Sequence, residues 1–208
     1  AYQYYLPYLD GMGYWTGLGL SNSSTTRDAN VTVEIYDENG NTIGTVSKVI
    51  ATDGQEKFVV TSGLGSTKEG WMLVTSDQPL TGLCFFGNIN YMADITLIDS
   101  TSTTLHVPHV AQNGTWDTTI LICNPNSSNN TVTLTYVDTT GTPSITKNYN
   151  IAAMGSIKVE LSNLLSGGTA SGGKVKVSAT RGVAAFALYS NLETGGECYA
   201  EISAVEPN

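Results

Sequence analysis

The sequence predicts an all-β chain: two tandem antiparallel β-sandwich domains related by internal duplication. The first observation behind this is a repeat. Leu6-Pro7-Tyr8-Leu9 returns as Val107-Pro108-His109-Val110, Trp15 as Trp116, Val31-Thr32-Val33 as Val132-Thr133-Leu134, Asp37 as Asp138, Gly40 as Gly141 and Gly54 as Gly155, all 101 positions apart. Later the offset drifts, with Gly70 matching Gly173, Asn88 matching Asn191 and Ala93-Asp94-Ile95 matching Ala200-Glu201-Ile202, as loop insertions in one copy would produce. The second observation is period-two alternation of apolar and polar residues, the mark of half-buried strands. The third is the lack of any helical pattern of useful length. Copies of this size can each bury a core. The expected domains are residues 1–100 and 101–208, joined by the short polar linker 99–104.

The elements of the first copy follow in order. Residues 2–9 are aromatic and extended in character, and 15–21 form an apolar run. In 31–37, Val31, Val33 and Ile35 take one face and Thr32, Glu34 and Tyr36 the other. Asp37-Glu38-Asn39-Gly40 is the turn into 43–51, and Asp53-Gly54 the turn into 56–61. Strand 70–76 ends at Ser76-Asp77-Gln78-Pro79, and 81–88 and 91–98 complete the copy. The second copy repeats the plan. Val132, Leu134 and Tyr136 alternate, as do Val175 and Val177 against Lys174 and Lys176, with turns at Thr139-Thr140-Gly141 and Ser166-Gly167-Gly168. Leu161 to Leu165 are expected to make one short helical turn.

Strands at this spacing without crossover helices resemble the architecture of immunoglobulin and fibronectin type III modules. The Cys…Trp…Cys signature of true immunoglobulin domains is missing. At the level of motif, each copy resembles the tandem β modules of secreted bacterial surface proteins. The shared pattern opens with an apolar residue, Pro, an aromatic or His, and another apolar residue. A Trp follows, then an apolar strand ending in Asn, then a hairpin carrying Asp-x-x-Gly. The resemblance implies location and architecture. Such modules generally lack an assigned activity, so it carries no functional residue.

Composition narrows the function classes. The net charge is −9 and only 13% of residues are charged, with nine basic residues scattered singly. That argues against nucleic acid, whose backbone calls for clustered Lys and Arg. No apolar run reaches the roughly 18 residues of a membrane span. A start at Ala1 fits either a trimmed chain or a mature protein after signal-peptide removal. The Thr- and Asn-rich composition favours export.

Several residues are candidates for chemistry or contact. Cys84 lies in Leu83-Cys84-Phe85-Phe86 and reads as a buried thiol. Cys123 and Cys198 occur only in the second copy, so they are either a late-added disulfide or two separate buried thiols. His106 and His109, the only histidines, are three apart and point to opposite faces of a strand, so they do not suit one metal. Asp37 to Asn41 look like an oxygen-rich calcium loop. Lys48 stands where an EF-hand needs its bidentate Glu, and Asp138-Thr139-Thr140-Gly141 has lost two ligands. A hairpin with Gly at positive φ explains both copies. No metal or cofactor is expected. No pair of acids is placed for glycoside hydrolysis; Asp94 and Glu201 are equivalent positions in separate copies. The Gly-x-Ser-x-Gly elbow of α/β hydrolases is missing. Sequons at Asn22, Asn30, Asn113, Asn126 and Asn129 are possible glycosylation sites.

Aromatic residues are the strongest contact signal. Tyr2, Tyr4, Tyr5 and Tyr8 crowd the N-terminus. That segment is expected to pair within its own domain, or else to be donated as a strand to a neighbouring molecule. Trp15 and Trp116 recur together and are expected to be buried core anchors. Trp71 and Leu73 match Lys174 and Lys176, so they should lie on an outward face that is covered in the working state. The cover would be the other domain, a partner subunit or a stacked sugar; the alternative is a margin of the core. The expected function is non-catalytic: a secreted or cell-surface structural or adhesive protein, such as an appendage, filament or matrix subunit. It would self-associate or bind another surface protein. The alternative is a pair of carbohydrate-binding modules using exposed aromatics.

Overall fold

The computed structural model describes residues 1–9, 15–60, 69–87, 92–192 and 197–206, with the backbone alone at 9 and 197–203. The chain is almost entirely antiparallel β structure and divides into two compact units, Ala1–Ser100 and Thr101–Asn208. Among the described residues, no helix is long and apolar enough to cross a membrane.

The first unit holds β1 (Tyr2–Leu9), β2 (Trp15–Asn22), β3 (Ala29–Asp37), β4 (Thr42–Ile50), β5 (Gln55–Val59), β6 (Glu69–Ser76), β7 (Leu80–Gly87) and β8 (Met92–Thr96). They form two four-stranded sheets, ordered β1-β6-β3-β4 and β5-β2-β7-β8. The sheets pack in a sandwich-like way. Alternation buries Tyr4, Leu6, Val31, Val33, Ile35, Met72 and Val74 from one sheet. Leu18, Leu20, Cys84, Phe86, Ala93 and Ile95 are buried from the other. Across the core the Leu80 amide donates to the Tyr4 hydroxyl at 2.7 Å, and burial raises the Tyr4 pKa.

The second unit holds β9 (Ser102–Val107), β10 (Trp116–Cys123), β11 (Asn130–Val137), β12 (Pro143–Ile151), β13 (Ser156–Glu160), α1 (Leu161–Leu164), β14 (Lys174–Asn191) and β15 (Glu197–Ser203). The expected helical turn is α1, and the Ser162 hydroxyl at its start donates to Asp117 at 2.9 Å. The pairing order of the first unit recurs. β9-β14-β11-β12 answers β1-β6-β3-β4, and β13-β10-β14-β15 answers β5-β2-β7-β8. The difference is β14. In the first unit the turn Asp77-Gln78-Pro79 separates β6 from β7, whereas β14 runs 18 residues without a break and serves both groups of strands. β9 begins at Ser102, opposite Val183. Ser102, Thr103 and Thr104 therefore belong to a strand rather than to the expected linker.

β1 pairs with β6 of its own unit from Tyr2↔Ser76 to Leu9↔Glu69, so the N-terminal segment is used internally. An isolated bridge ties this strand to the end of the unit, with the Tyr5 amide donating to the Ile98 carbonyl at 2.8 Å. The second unit repeats the tie: His106 and Val205 exchange two backbone bonds of 2.7 and 2.9 Å.

The turns follow the residues that build them. Gly40 and Gly141 both adopt positive φ, at 84° and 88°. Asp37 Oδ1 accepts from the Asn39 and Asn41 amides, and Asp138 Oδ1 from those of Thr140 and Thr142. The carboxylate oxygens are thus engaged within the turn, and the Thr140 and Thr142 hydrogen bonds hold the Asp138 pKa below its ordinary value. At Asp53-Gly54 the left-handed residue is Asp53, with φ 55°; a Cβ on Gly54 would approach the Ala51 carbonyl oxygen to 2.9 Å.

A buried asparagine ends β2, and another lies just beyond β10. Asn22 Nδ2 donates to the carbonyls of Arg27, Ile50 and Ala51 at 2.8, 3.3 and 3.2 Å. Asn124 Nδ2 donates to those of Ser128, Ile151 and Ala152 at 2.9, 3.5 and 2.8 Å. Both side chains are shielded from solvent. Removing either amide takes away three hydrogen bonds at once; the Ala51 and Ala152 carbonyls keep the Gly54 and Gly155 amides as donors, and any other carbonyl left buried without a donor costs about 1–3 kcal/mol. Asn22→Ala and Asn124→Ala should each lower the stability of their own unit by roughly that amount or more. Chemical denaturation followed unit by unit checks this, and an unchanged midpoint would show that the amide is dispensable.

Candidate functional site: an open glycine trough

Side chains on β2 alternate between two environments. Thr16, Leu18, Leu20 and Asn22 face the core, and Trp15, Gly17, Gly19 and Ser21 face outward. Two successive outward positions therefore carry no side chain. The neighbouring outward rows are Gln55, Lys57 and Val59 on β5 and Thr81, Leu83 and Phe85 on β7, fixed by the pairs Gly19↔Lys57, Gly17↔Val59, Gly19↔Leu83 and Gly17↔Phe85. These flanking rows are two inter-strand spacings apart, about 10 Å. Between them lies a trough of about 620 Å³, lined by Gly19, Ser21, Gln55, Lys57, Leu83 and Phe85 among others.

The glycines also position the aromatics. A Cβ on Gly17 would sit 3.0 Å from Cζ3 of Trp15, so the indole rests over the bare strand. A Cβ on Gly19 would sit 3.4 Å from Cε2 of Phe85. Trp15, Leu83 and Phe85 are half-buried, while Val59 is 46% and Met92 63% exposed. Of the lining residues Lys57 and Glu56 are charged, and Asp94 is exposed opposite Phe85 on the same outward face.

The second unit fills the same place. Thr119 and Leu121 on β10 pair with Glu160 and Lys158 on β13, and with Leu188 and Phe186 on β14. They occupy the positions of Gly17 and Gly19, and Leu121, Phe186 and Leu188 are all buried.

The expected site residues fall as follows. Trp71 and Leu73 do lie on the outward face of β6, opposite in sense to Met72 and Val74, yet both are buried within this chain. Trp71 stacks on Tyr36 with ring centroids 5.0 Å apart and lies 6.3 Å from the Tyr5 ring. They are therefore not an exposed contact surface. Tyr4 is buried, Tyr5 is half-buried and Tyr2 is 47% exposed.

Trp15 and Trp116 are half-buried, not core anchors. They are also not equivalent. Leu18 matches Ile120 and Asn22 matches Asn124, an offset of 102, so Trp15 takes the position of Asp117. A one-residue slip moves a side chain to the other face of a sheet.

Of the two alternatives for Cys123 and Cys198, the disulfide is overturned. Cys123 is a free buried thiol whose Sγ donates to the Ala184 carbonyl, and burial pushes its pKa up to about 12. Backbone register sets Cys198 beside Ser190, which pairs with Asp117, six positions along β10 from Cys123. That is about 20 Å, far beyond the reach of a disulfide. The side chain of Cys198 lies outside the described residues. Cys84, also buried, places its Sγ 3.9 Å from the Pro7 carbonyl.

His106 sits by Lys174 and Lys176, and burial with their charge lowers its pKa. His109 contacts Tyr189, whose hydroxyl donates to the His109 carbonyl at 2.6 Å and is pushed up to about 12 by burial.

Of the sequons, Asn22 is buried and its amide is occupied. Asn126 is half-buried and donates to Asn124 and Gly182. Neither presents its amide for a glycan. Asn30, Asn113 and Asn129 are exposed, although Asn30 Nδ2 donates to Asp77 at 2.7 Å. Among the described residues, no group of three or more His, Cys, Asp or Glu is placed to hold a metal.

The trough went unread in the sequence, although its signal is there. Trp15-Thr16-Gly17-Leu18-Gly19-Leu20 alternates glycine with leucine where the second copy has Thr119 and Leu121.

No protein-family model matches the chain, and no curated protein matches it. Among solved structures it is similar to Bacteroides uniformis beta-glucuronidase 2, with 12% identity over 97% of this chain and 25% of that one and a TM-score of 0.21. A beta-glucuronidase from glycoside hydrolase family 2 gives 11% identity over 98% and 24%, with a TM-score of 0.20. A family 2 glycosyl hydrolase of Bacteroides cellulosilyticus gives 10% identity over 98% and 28%, also at 0.20. The chain spans about a quarter of the length of these proteins. Likeness at this level carries no argument about fold or activity.

The burial of Trp71 has a measurable consequence. Trp71→Ala removes a large aromatic from a closed site and should destabilise the first unit by about 3–5 kcal/mol. Denaturant unfolding checks this; a loss below about 1 kcal/mol would mean that the Tyr36 stack carries little energy.

Proposed function

We propose that the chain is a non-catalytic extracellular protein with a structural or adhesive role, of the kind suggested by its resemblance to tandem surface modules. The observation that carries the reading is the outward face of β5-β2-β7-β8. Trp15, Leu83 and Phe85 are only half-buried there, and Val59 and Met92 are exposed beside an open trough. An apolar face rimmed by polar residues marks a contact surface. The matching face of the second unit supports the contrast, because its apolar residues are already buried. The non-catalytic part of the reading draws on the side chains. Among the described residues, Cys84 and Cys123 point their thiols at backbone carbonyls, and the His109 ring meets a tyrosine rather than a nucleophile with a basic partner. Polar, sparsely charged surfaces suit secretion.

Retention of beads coated with the full chain tests the adhesive role. Such beads should hold to surfaces bearing extracellular polymer, surface protein or a layer of the same chain better than albumin-coated beads do. Leu83→Ser with Phe85→Ser should cut that retention severalfold while leaving the melting curve in place. Retention no better than albumin on every surface would sink the proposal.

A further inference from the structure

We propose that the trough of the first unit is a subsite for a neutral polysaccharide, whose sugar rings stack on Trp15 and Phe85. This rests on the reading of the same face as the contact surface and names the chemistry of what it holds.

Shape is the first argument. The trough lies over Gly19 and Ser21 of β2, and Trp15, laid over Gly17, continues its line along the same outward row. Its volume of about 620 Å³ lies within the roughly 300–1,000 Å³ typical of small-ligand sites. It is open to solvent rather than enclosed by the lining residues, so a polymer can lie in it and continue beyond it.

Chemistry is the second argument. A pyranose ring offers an apolar C–H face and an equator of hydroxyls. The apolar face suits Trp15, Phe85 and Leu83. The hydroxyls suit Gln55, Lys57, Thr81 and Ser21 along the rim. The side chains of Gln55, Lys57 and Thr81 have no hydrogen-bond partner among the described residues, so their donors and acceptors are available.

Charge is the third. Lys57 is the cation of the outward row, Asp94 stands exposed opposite Phe85 on the same face, Glu56 also lines the trough, and the whole chain carries −9. A polyanion meets repulsion from the chain and only one cation at the trough, whereas a neutral polymer meets neither problem.

Location argues against a peptide. Strand addition needs a sheet edge with unused backbone groups. The trough floor is β2, which is paired on both sides, with β5 and with β7. Side chains are what it offers.

The second unit supplies an internal control. Thr119 and Leu121 fill the corresponding place, so one site per chain is expected.

The experiment titrates the full chain with soluble β-glucan, xylan and galactomannan, with alginate as the charged arm, by affinity electrophoresis and tryptophan fluorescence. At least one neutral polymer should bind and alginate should not. Gly19→Leu copies the second unit and should weaken binding by roughly tenfold or more, and Trp15→Ala should do the same. Both variants should keep the wild-type melting curve. If Gly19→Leu does not fold, Trp15→Ala decides, since Trp15 lies on the outward face and outside the core. Failure of all three neutral polymers to bind, binding of alginate alone, or unchanged binding in Trp15→Ala would overturn the inference. Beads that adhere through Leu83 and Phe85 while no neutral polymer binds would overturn the glycan assignment and leave the adhesive reading standing.

Discussion

The interaction on which each unit depends is an amide clamp at one end of the sheets. Asn22 gathers carbonyls from the approach to β3, the end of β4 and the turn after it. Asn124 does the same in the second unit with residues at matching positions. Each side chain is buried, so no water is at hand to replace it. The clamp joins a strand of one sheet to a hairpin of the other, which fixes how the two stack. It also fixes the register of β2 and β10, and with that, which residues point inward.

That register explains what the sequence revealed and what it hid. Alternation and turn chemistry located β1 to β8 to within a few residues, and α1 as a single turn. They were legible because strand period and turn residues are local signals. Trp15 and Trp116 misled because identity aligned them at 101, whereas their own strands, β2 and β10, align at 102 through Leu18 with Ile120 and Asn22 with Asn124. Face is a parity, and a single inserted residue reverses it. Trp71 was correctly read as outward, but its burial rests on tertiary neighbours such as Tyr36, which no local pattern records. The trough was the reverse case. Gly17 and Gly19 were visible beside Thr119 and Leu121, but their meaning depended on knowing that both face outward.

The two units thus show one frame with different surfaces. At the positions of Trp71 and Leu73 the second unit carries Lys174 and Lys176, by His106. At the positions of Gly17 and Gly19 it carries Thr119 and Leu121. The clamps, the hairpin aspartates and the pairing order are shared, and the outward positions are where the copies diverge. At the trough positions such divergence changes contact chemistry without touching the core, whereas at Trp71 it exchanges a buried aromatic for a lysine.

The bridges Tyr5↔Ile98 and His106↔Val205 give each unit an entrance and an exit that touch. A pull on the two ends of a unit therefore reaches the place where its first strand and last segment meet, on a strand that is itself part of a sheet. The join is made by the Tyr5 amide on the Ile98 carbonyl in the first unit and by the reciprocal pair between His106 and Val205 in the second.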